Sequence, residues 1–268
     1  MESPKDSFRD YANADDHVIE FYKLNHQYQT VKFVEVQHKK FCTKFDICQM
    51  DIWDAIKRLD SIVDDSDPDL DIPQIHHAYQ TAERLRLKYP DLDWLHLVGL
   101  IHDLGKVLTL PEFGSQEQWC VVGDTFPVGC KFSDKIVYPE FFNLNHNIIN
   151  PFYNTELGIY EEKCGIDNLI MSFGHDEYMY QVLVHNGCLI PDIGLKIIRY
   201  HSFNAWHRDG AYQYFETDDD LETKKWCQTF CQCDLYTKDN TNILEIKTLE
   251  PYYKSLIDKY FPKQILSW

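Results

Sequence analysis

Apolar residues that recur with a period of about 3.6 residues predict helices in the first half of the chain. Asp51 can cap the first of these helices, and Pro73 opens the second. Asp91 or Asp93 caps a third, which runs from Trp94 to about Leu104. The apolar face of the first helix comprises Ile52, Ile56, Leu59 and Val63, and that of the second comprises Ile75, Ala78, Ala82 and Leu85.

The second half of the chain also predicts helices, after a long irregular stretch. Residues 111–153 are rich in Gly, Pro and Asn and keep no sustained period, so we expect mostly loop there. Helices are predicted over 175–185, from Pro191 to about His201, from the acids at 218–220 to about Asp234, and from Pro251 to about Tyr260. Short strands are predicted only at 120–122 and 135–137. The pattern predicts an all-α fold, one domain over 1–268, with a long irregular insertion and few short strands.

Composition narrows the possible partners and location of the protein. The chain has 268 residues, 44% of them hydrophobic, and a formal net charge of -17, so it can bury a core but repels nucleic acid and anionic lipid. No apolar run approaches the roughly 18 residues that span a bilayer. Residues 1–16 are polar, do not resemble a signal peptide, and are expected to be partly ordered. We expect a cytoplasmic monomer that binds neither nucleic acid nor membrane.

The nine cysteines favour reduced thiols over disulfides, because their number is odd and no secretion signal precedes them. Cys227, Cys231 and Cys233 cluster late in the chain. Their spacing is not typical of a zinc site, so a structural cluster is the favoured interpretation.

The segment 94–106 carries the first sign of chemistry. Apolar residues occupy almost every side of this helix, yet His102 and Asp103 lie near its end. A buried carboxylate needs a compensating partner, and a metal ion would both neutralise it and use the imidazole nitrogen. The alternative is a core histidine with Asp103 paired to Lys106. Gly105 suits a left-handed position that ends the helix.

Other histidines and acids could complete such a site, although each alone is more often a surface or capping residue. His76 and His77 lie on the preceding helix, and the helical phase does not choose between them. His175 begins a helix and His201 ends one. Asp234 lies in an apolar, cysteine-rich stretch.

Taken together, these motifs resemble a known family. His77, then His102 with Asp103, then the distant Asp234 follow the H…HD…D order of the HD-domain superfamily. More narrowly, the chain resembles the myo-inositol oxygenases. The matching segments are 5–9, 64–68, 97–106, 121–130, 172–178, 201–203, 234–238 and 252–260, and the similarity extends from about residue 5 to Trp268.

The resemblance implies two iron ions per chain. It implies that His77, His102 and Asp234 hold one iron, that His175 and His201 hold the other, and that Asp103 bridges them. Asp176 is implied to be no ligand, and His76, His185 and His207 are expected to be bystanders. The implied substrate-binding residues are Arg9, Asp64, Asp67, Lys106, Gly123, Asp124, His201 and Ser202. Lys106 is further implied to reach the substrate oxygen at the metal, which makes it, with Asp103, a catalytic residue.

The reaction that the resemblance implies is the ring-opening, four-electron oxidation of myo-inositol by O2 to D-glucuronate and water, at a mixed-valent Fe(II)/Fe(III) pair. Two alternatives remain. A metal-dependent phosphohydrolase would use His77, His102, Asp103 and Asp234, but it would explain neither the two further histidines nor the lack of a basic cluster for phosphate. A non-catalytic binding protein would be favoured only if a ligand position were lost.

Overall fold

The computed structural model describes residues 11–68, 72–234 and 244–268, and over these residues the fold is all-α, as predicted. Ten α-helices occur in these ranges. They are α1 (Asp16–Tyr28), α2 (Val31–Phe41), α3 (Ile52–Arg58), α4 (Gln74–Lys88), α5 (Asp93–Ile101), α6 (His175–His185), α7 (Asp192–Tyr200), α8 (Asn204–His207), α9 (Asp220–Asp234) and α10 (Ile246–Tyr260). Two short strands, β1 (Gln49–Asp51) and β2 (Ile265–Ser267), pair antiparallel with Met50 opposite Leu266.

Helix α5 lies at the centre of the molecule. Its residues from Leu95 to Ile101 are all buried, and it packs against α4, α7 and α10. Gly99 allows α4 to approach closely, because a Cβ atom at this position would lie 2.8 Å from the Cα atom of Ala82. His102 and Asp103 directly follow the C-terminal end of this buried helix.

Most predicted helices are confirmed, with boundaries that differ by a few residues. Asp51 caps α3 by accepting a hydrogen bond from the Trp53 main-chain N–H at 2.8 Å. That helix ends at Arg58 and a 3-10 turn ends at Ser61, so Val63 lies beyond it. The predicted apolar face of α4 is buried, and the helix over 175–185 has the predicted bounds.

Several local predictions are wrong. Neither Asp91 nor Asp93 caps α5: Leu92 occupies the capping position, Asp93 is the first helical residue, and the helix ends at Ile101. Pro251 lies inside α10, which begins five residues earlier, at Ile246. Neither predicted strand forms, since residues 118–120 make a 3-10 turn and residues 135–137 carry no strand.

Residues 111–174 form the irregular insertion, and part of it packs against residues that were predicted for the site. The predicted loop region 111–153 contains 3-10 turns but no α-helix, as predicted, and the stretch without an α-helix extends further, to Gly174. Two main-chain hydrogen bonds join residues 121–126 of the insertion to the helical core: His175 N donates to Val121 O at 2.7 Å, and Thr125 N donates to Ser202 O at 3.1 Å. Within the insertion, Ser172 N donates to Phe126 O at 2.7 Å. The insertion thus holds residues 121–126 against the N-terminal end of α6 and the C-terminal end of α7.

Further predictions concern the cysteines, membrane-spanning helices and the N-terminal segment. All nine cysteines are described and free, and Cys227, Cys231 and Cys233 are buried in the core. No α-helix of the described ranges has the length and hydropathy to cross a membrane. Residues 1–10, which include most of the segment expected to be partly ordered, lie outside the described residues. The single domain, the monomeric state and the cytoplasmic location stay predictions.

Candidate metal centre

Six side chains from five helices or helix ends meet at one buried point. His77 lies on α4, His102 and Asp103 follow α5, His175 begins α6, His201 follows α7, and Asp234 ends α9. None of these residues is more than 6% exposed. The site depends on the whole fold, because residues from 77 to 234 must converge to build it.

Asp103 lies between two pairs of imidazoles. Its Oδ2 atom is 3.6 Å from His77 Nε2 and 3.3 Å from His102 Nε2. Its Oδ1 atom is 3.2 Å from His175 Nε2 and 3.5 Å from His201 Nε2. Each carboxylate oxygen therefore faces a different pair, and each pair with Asp103 forms a group of ligand atoms close enough to hold a metal ion.

A second carboxylate faces each half of the centre. Asp234 Oδ1 lies 2.8 Å from His77 Nε2 and 3.3 Å from His102 Nε2. In the other half, Asp176 Oδ1 lies 2.6 Å from His175 Nε2 and 3.6 Å from His201 Nε2. Asp176, for which the resemblance implies no ligand role, is thus in direct contact with the second pair of imidazoles. It also accepts hydrogen bonds from the main-chain N–H and the hydroxyl of Ser202, both at 3.3 Å.

The backbone fixes three of the imidazole rings. The Nδ1 atoms of His102, His175 and His201 lie 2.8–2.9 Å from the carbonyl oxygens of Gly99, Val121 and Ile198. A carbonyl oxygen only accepts, so Nδ1 carries the hydrogen in each ring and Nε2 is directed into the centre. This is the usual way in which proteins orient metal-binding histidines.

The charges of the centre are mutually compensated. Burial lowers the pKa of His102, but the Asp103 and Asp234 carboxylates raise it more, to about 10. Burial likewise lowers the pKa of His175, and Asp176 and Asp103 together raise it to about 10. Burial raises the pKa of Asp103, yet the neighbouring His102 and Lys106 cations hold it well below its ordinary value. Protons on imidazole thus balance the carboxylates, and a metal cation can replace them because neutral imidazole is the ligand form.

The nitrogen and oxygen donors that the structure brings together fit a transition metal. His102 Nε2 is buried and makes no hydrogen bond, although it points into the centre. Imidazole and carboxylate together suit iron and similar borderline metals better than calcium or magnesium, which prefer oxygen ligands alone.

Lys106 is buried beside the centre rather than solvated. Its Nζ atom donates hydrogen bonds to Asp64 Oδ2 at 2.7 Å, Gln74 Oε1 at 2.8 Å and Asp103 Oδ2 at 2.8 Å. Burial lowers the pKa of Lys106, but the two carboxylates raise it further, so the ammonium is retained. The alternative interpretation of Asp103 as a simple partner of Lys106 is therefore incomplete, because Asp103 also contacts four imidazoles.

A polar cavity opens directly onto this centre. The empty space that it encloses, together with the open solvent at its mouth, amounts to about 440 Å³. Besides the proposed metal ligands, its lining comprises Tyr11, Asp64, Ser66, Asp67, Gln74, Lys106, Gly123 and Ser202. Carboxylate, amide, hydroxyl and ammonium groups at one wall suit a ligand rich in hydroxyl groups.

The cavity brings together most, but not all, of the predicted substrate residues. Asp64, Asp67, Lys106, Gly123, His201 and Ser202 line it. Asp124 is buried next to Gly123 and accepts a hydrogen bond from Asn204 Nδ2 at 3.0 Å. Arg9 lies outside the described residues.

Sequence reasoning missed three lining residues, Tyr11, Ser66 and Gln74. Gln74 had a signal: it lies three residues before His77 on α4, and residues at this spacing share a helix face.

The expected bystanders lie outside the two metal-competent groups of described residues. The His185 ring stacks on Phe45 with centroids 4.2 Å apart. His207 Nε2 hydrogen-bonds the His201 carbonyl at 2.9 Å, and burial lowers the pKa of His207 to about 4. His76 lies only partly buried on α4, whereas His77 faces the centre. The structure thereby resolves the choice between His76 and His77 that helical phase left open.

Gly105 serves a purpose different from the predicted left-handed cap. It lies in the 3-10 turn Leu104–Thr109 and is not among the residues with positive φ. A Cβ atom at this position would lie 2.1 Å from the carbonyl oxygen of His175. The glycine therefore lets the turn that carries Lys106 pass against the backbone of α6.

Comparisons with known proteins identify the family of the chain. The model of the myo-inositol oxygenase family matches residues 15–268. The chain is 51% identical over 266 residues to "Inositol oxygenase 2" of Arabidopsis thaliana, covering 98% of this chain and 83% of that protein. It is 48% identical over 272 residues to the inositol oxygenase of Danio rerio, covering 100% of this chain and 95% of that protein. The inositol oxygenase of Dictyostelium discoideum is 45% identical over 262 residues. The chain therefore belongs to the myo-inositol oxygenase family.

Proposed function

We propose that the protein is a di-iron oxygenase that opens the ring of myo-inositol with O2, giving D-glucuronate and water. The observation that carries this proposal is the position of Asp103, whose two carboxylate oxygens each face a separate pair of imidazoles beside a polar cavity. Family membership supports inositol as the substrate, since the relatives carry that name.

His77, His102 and Asp234 would hold one iron, His175 and His201 the other, and Asp103 would bridge the two. Four imidazoles with two carboxylates form a borderline donor set that suits iron. When bound, a mixed-valent pair of irons supplies Lewis acidity and the one-electron redox chemistry that O2 requires. Asp176 would act through hydrogen bonds, by holding Ser202 against the centre.

Lys106 would contact the reacting end of the substrate. Its ammonium nitrogen lies 2.8 Å from the oxygen of Asp103 that faces His77 and His102. A cation fixed at this place would donate a hydrogen bond to a substrate oxygen and stabilise negative charge when that hydroxyl loses its proton.

The remaining cavity residues would select a polyol. The carboxylates of Asp64 and Asp67 can accept hydrogen bonds from hydroxyl groups, and the Ser202 hydroxyl can donate or accept. The resemblance adds Arg9, Gly123 and Asp124 to this set. A site built of such groups rejects analogues that lack a hydroxyl, because a buried polar group would then lose its partner.

The structure offers little support for a phosphohydrolase. Among the described residues that line the cavity, Lys106 is the single lysine or arginine. A transferred phosphoryl group is usually stabilised by several positive charges.

The test is oxygen uptake by iron-loaded protein on addition of myo-inositol, with D-glucuronate quantified in the same sample. The proposal predicts equal amounts of O2 consumed and glucuronate formed, because the substrate supplies all four electrons. An absence of uptake by protein with two mixed-valent irons bound would contradict it, and phosphate esters would then be screened as substrates.

A further inference from the structure

The three hydrogen bonds of Lys106 conflict with the role proposed for it. An ammonium group has three N–H donors, and those of Lys106 meet Asp64, Gln74 and Asp103 at 2.7–2.8 Å. A substrate oxygen can receive a hydrogen bond from this ammonium only if one of the three acceptors releases it. The identity of the acceptor that is released determines what else the substrate must contact.

Gln74 is the acceptor that Lys106 exchanges most readily. Its amide is neutral, whereas Asp64 and Asp103 are carboxylates, and hydrogen bonds between two charged groups are the stronger kind. Lys106 Nζ and Asp64 Oδ2 form a buried ion pair at 2.7 Å. Burial raises the pKa of Asp64, but this ammonium lowers it to about 2. Asp103 is further held among the four imidazoles.

The backbone of Gln74 is anchored in the cavity wall. Gln74 is the first residue of α4, and its main-chain N–H donates to the carbonyl of Ile62 at 2.8 Å. The residue is 3% exposed and lines the cavity together with Lys106. If Lys106 turned to the substrate, Gln74 Oε1 would be a buried acceptor in need of a new donor.

We infer that Gln74 is a substrate-contacting residue: on binding of the polyol, Lys106 donates to one hydroxyl oxygen and Gln74 Oε1 accepts from the hydroxyl on an adjacent carbon. This inference rests on the proposed function and extends it. A polyol with hydroxyl groups on neighbouring carbons can replace the Lys106–Gln74 hydrogen bond with two new ones. A ring that lacks the second hydroxyl leaves Gln74 unsatisfied, so Gln74 contributes to specificity for a vicinal diol.

The experiment measures binding of myo-inositol and its six monodeoxy analogues to the iron-loaded protein by calorimetry without O2. The wild type is compared with Gln74→Met, which has a similar length but accepts no strong hydrogen bond, and with Lys106→Met. Gln37→Met is the matched control, because Gln37 donates to Gln116 and does not line the cavity. Iron content and circular dichroism are recorded for every variant.

We expect one deoxy analogue to bind the wild type about tenfold more weakly than myo-inositol, as for the loss of one buried hydrogen bond, and to bind Gln74→Met as tightly as myo-inositol does. A different deoxy analogue should bind Lys106→Met as tightly as myo-inositol does, and the hydroxyl that it lacks should be on a carbon adjacent to the one affected in Gln74→Met. Gln37→Met should bind every analogue with the affinity of the wild type. If Gln74→Met does not fold, Gln74→Asn is used, whose shorter amide should reduce the same penalty.

The inference is overturned if every hydroxyl contributes as much to binding affinity in Gln74→Met as in the wild type. It is also overturned if the same hydroxyl is affected in Gln74→Met and in Lys106→Met. In the latter case Gln74 would act only by orienting Lys106. Failure of the proposed function is distinguishable, because the wild-type holoprotein would then bind no myo-inositol at all.

Discussion

Replacing Gly105 with alanine should disturb the metal centre although no ligand is replaced. The added Cβ atom would lie 2.1 Å from the His175 carbonyl oxygen, 2.8 Å from the carbonyl carbon and 2.9 Å from the Cα atom. Ordinary contacts of this kind begin near 3.4 Å, so the two backbones must separate by about 1 Å. Neither backbone can rotate away as a side chain would.

The cost of this substitution can be set from the same geometry. Overpacking of a filled core costs about 1–3 kcal/mol, and a clash between two backbones belongs at the upper end, at about 3 kcal/mol. The displaced residue is His175, whose Nε2 atom lies 3.2 Å from Asp103 Oδ1. Metal coordination tolerates only about 0.2 Å of error in ligand distance, so we expect the second iron to be lost.

The assay combines urea unfolding of the metal-free protein with iron analysis of the loaded protein. Gly187→Ala is the control: no atom lies within 4 Å of its added Cβ, but its φ of +66° makes alanine unfavourable by about 1–2 kcal/mol. We expect Gly105→Ala to be the less stable variant and to retain at most one iron, while Gly187→Ala binds two. Equal stability and equal iron content in the two variants would show that the contact between Gly105 and His175 does not control the second iron.

Three further substitutions test other parts of the account. Asp103→Ala should lose both irons, because its two oxygens face both halves of the centre; iron analysis that finds two bound irons would contradict the bridge. Lys106→Met should bind two irons but lose most turnover in the oxygen-uptake assay, and unchanged turnover would remove Lys106 from the mechanism. Glu177→Gln should destabilise the protein at pH 7 by about 3 kcal/mol, measured by urea unfolding, because burial raises the pKa of Glu177 but His38 and Arg199 lower it from 4.5 to about 2.

The pH dependence gives the Glu177 prediction its sign. A carboxylate whose pKa is lower in the folded than in the unfolded protein stabilises the fold fully above the unfolded value. That contribution is lost as the pH falls from about 4.5 towards 2. The difference in stability between the wild type and Glu177→Gln should therefore shrink over this interval, and a constant difference would show that the ion pair with Arg199 does not cause it.

Local sequence patterns predicted those helices whose faces and caps are determined by residues close together in the sequence. The buried face of α4 and the Asp51 cap of α3 follow from the spacing and chemistry of nearby residues. The pairing of β1 with β2 has no local signal, since Met50 and Leu266 meet only after the whole chain has folded. Pro251 is likewise a common start signal, but here the helix begins before it and tolerates it.

In the candidate site, too, some features have a local sequence signal and others depend on contacts between distant residues. The buried His102–Asp103 pair indicated a metal from local sequence alone, and the remaining ligands came from the resemblance to a family. Gly105 was predicted to end a helix, but its role is set by contact with His175, which is distant in sequence. Gln74 and Tyr11 were missed because their contribution depends on where the cavity opens.

Isotopically labelled O2 reports whether this centre inserts oxygen from O2 into myo-inositol. Iron-loaded protein is given myo-inositol and labelled O2, and the D-glucuronate formed is analysed by mass spectrometry. Ring opening predicts one labelled oxygen atom per product molecule, located in the new carboxylate, while the second atom of O2 leaves as water. Glucuronate without label, or no glucuronate from protein that holds both irons, would contradict the account.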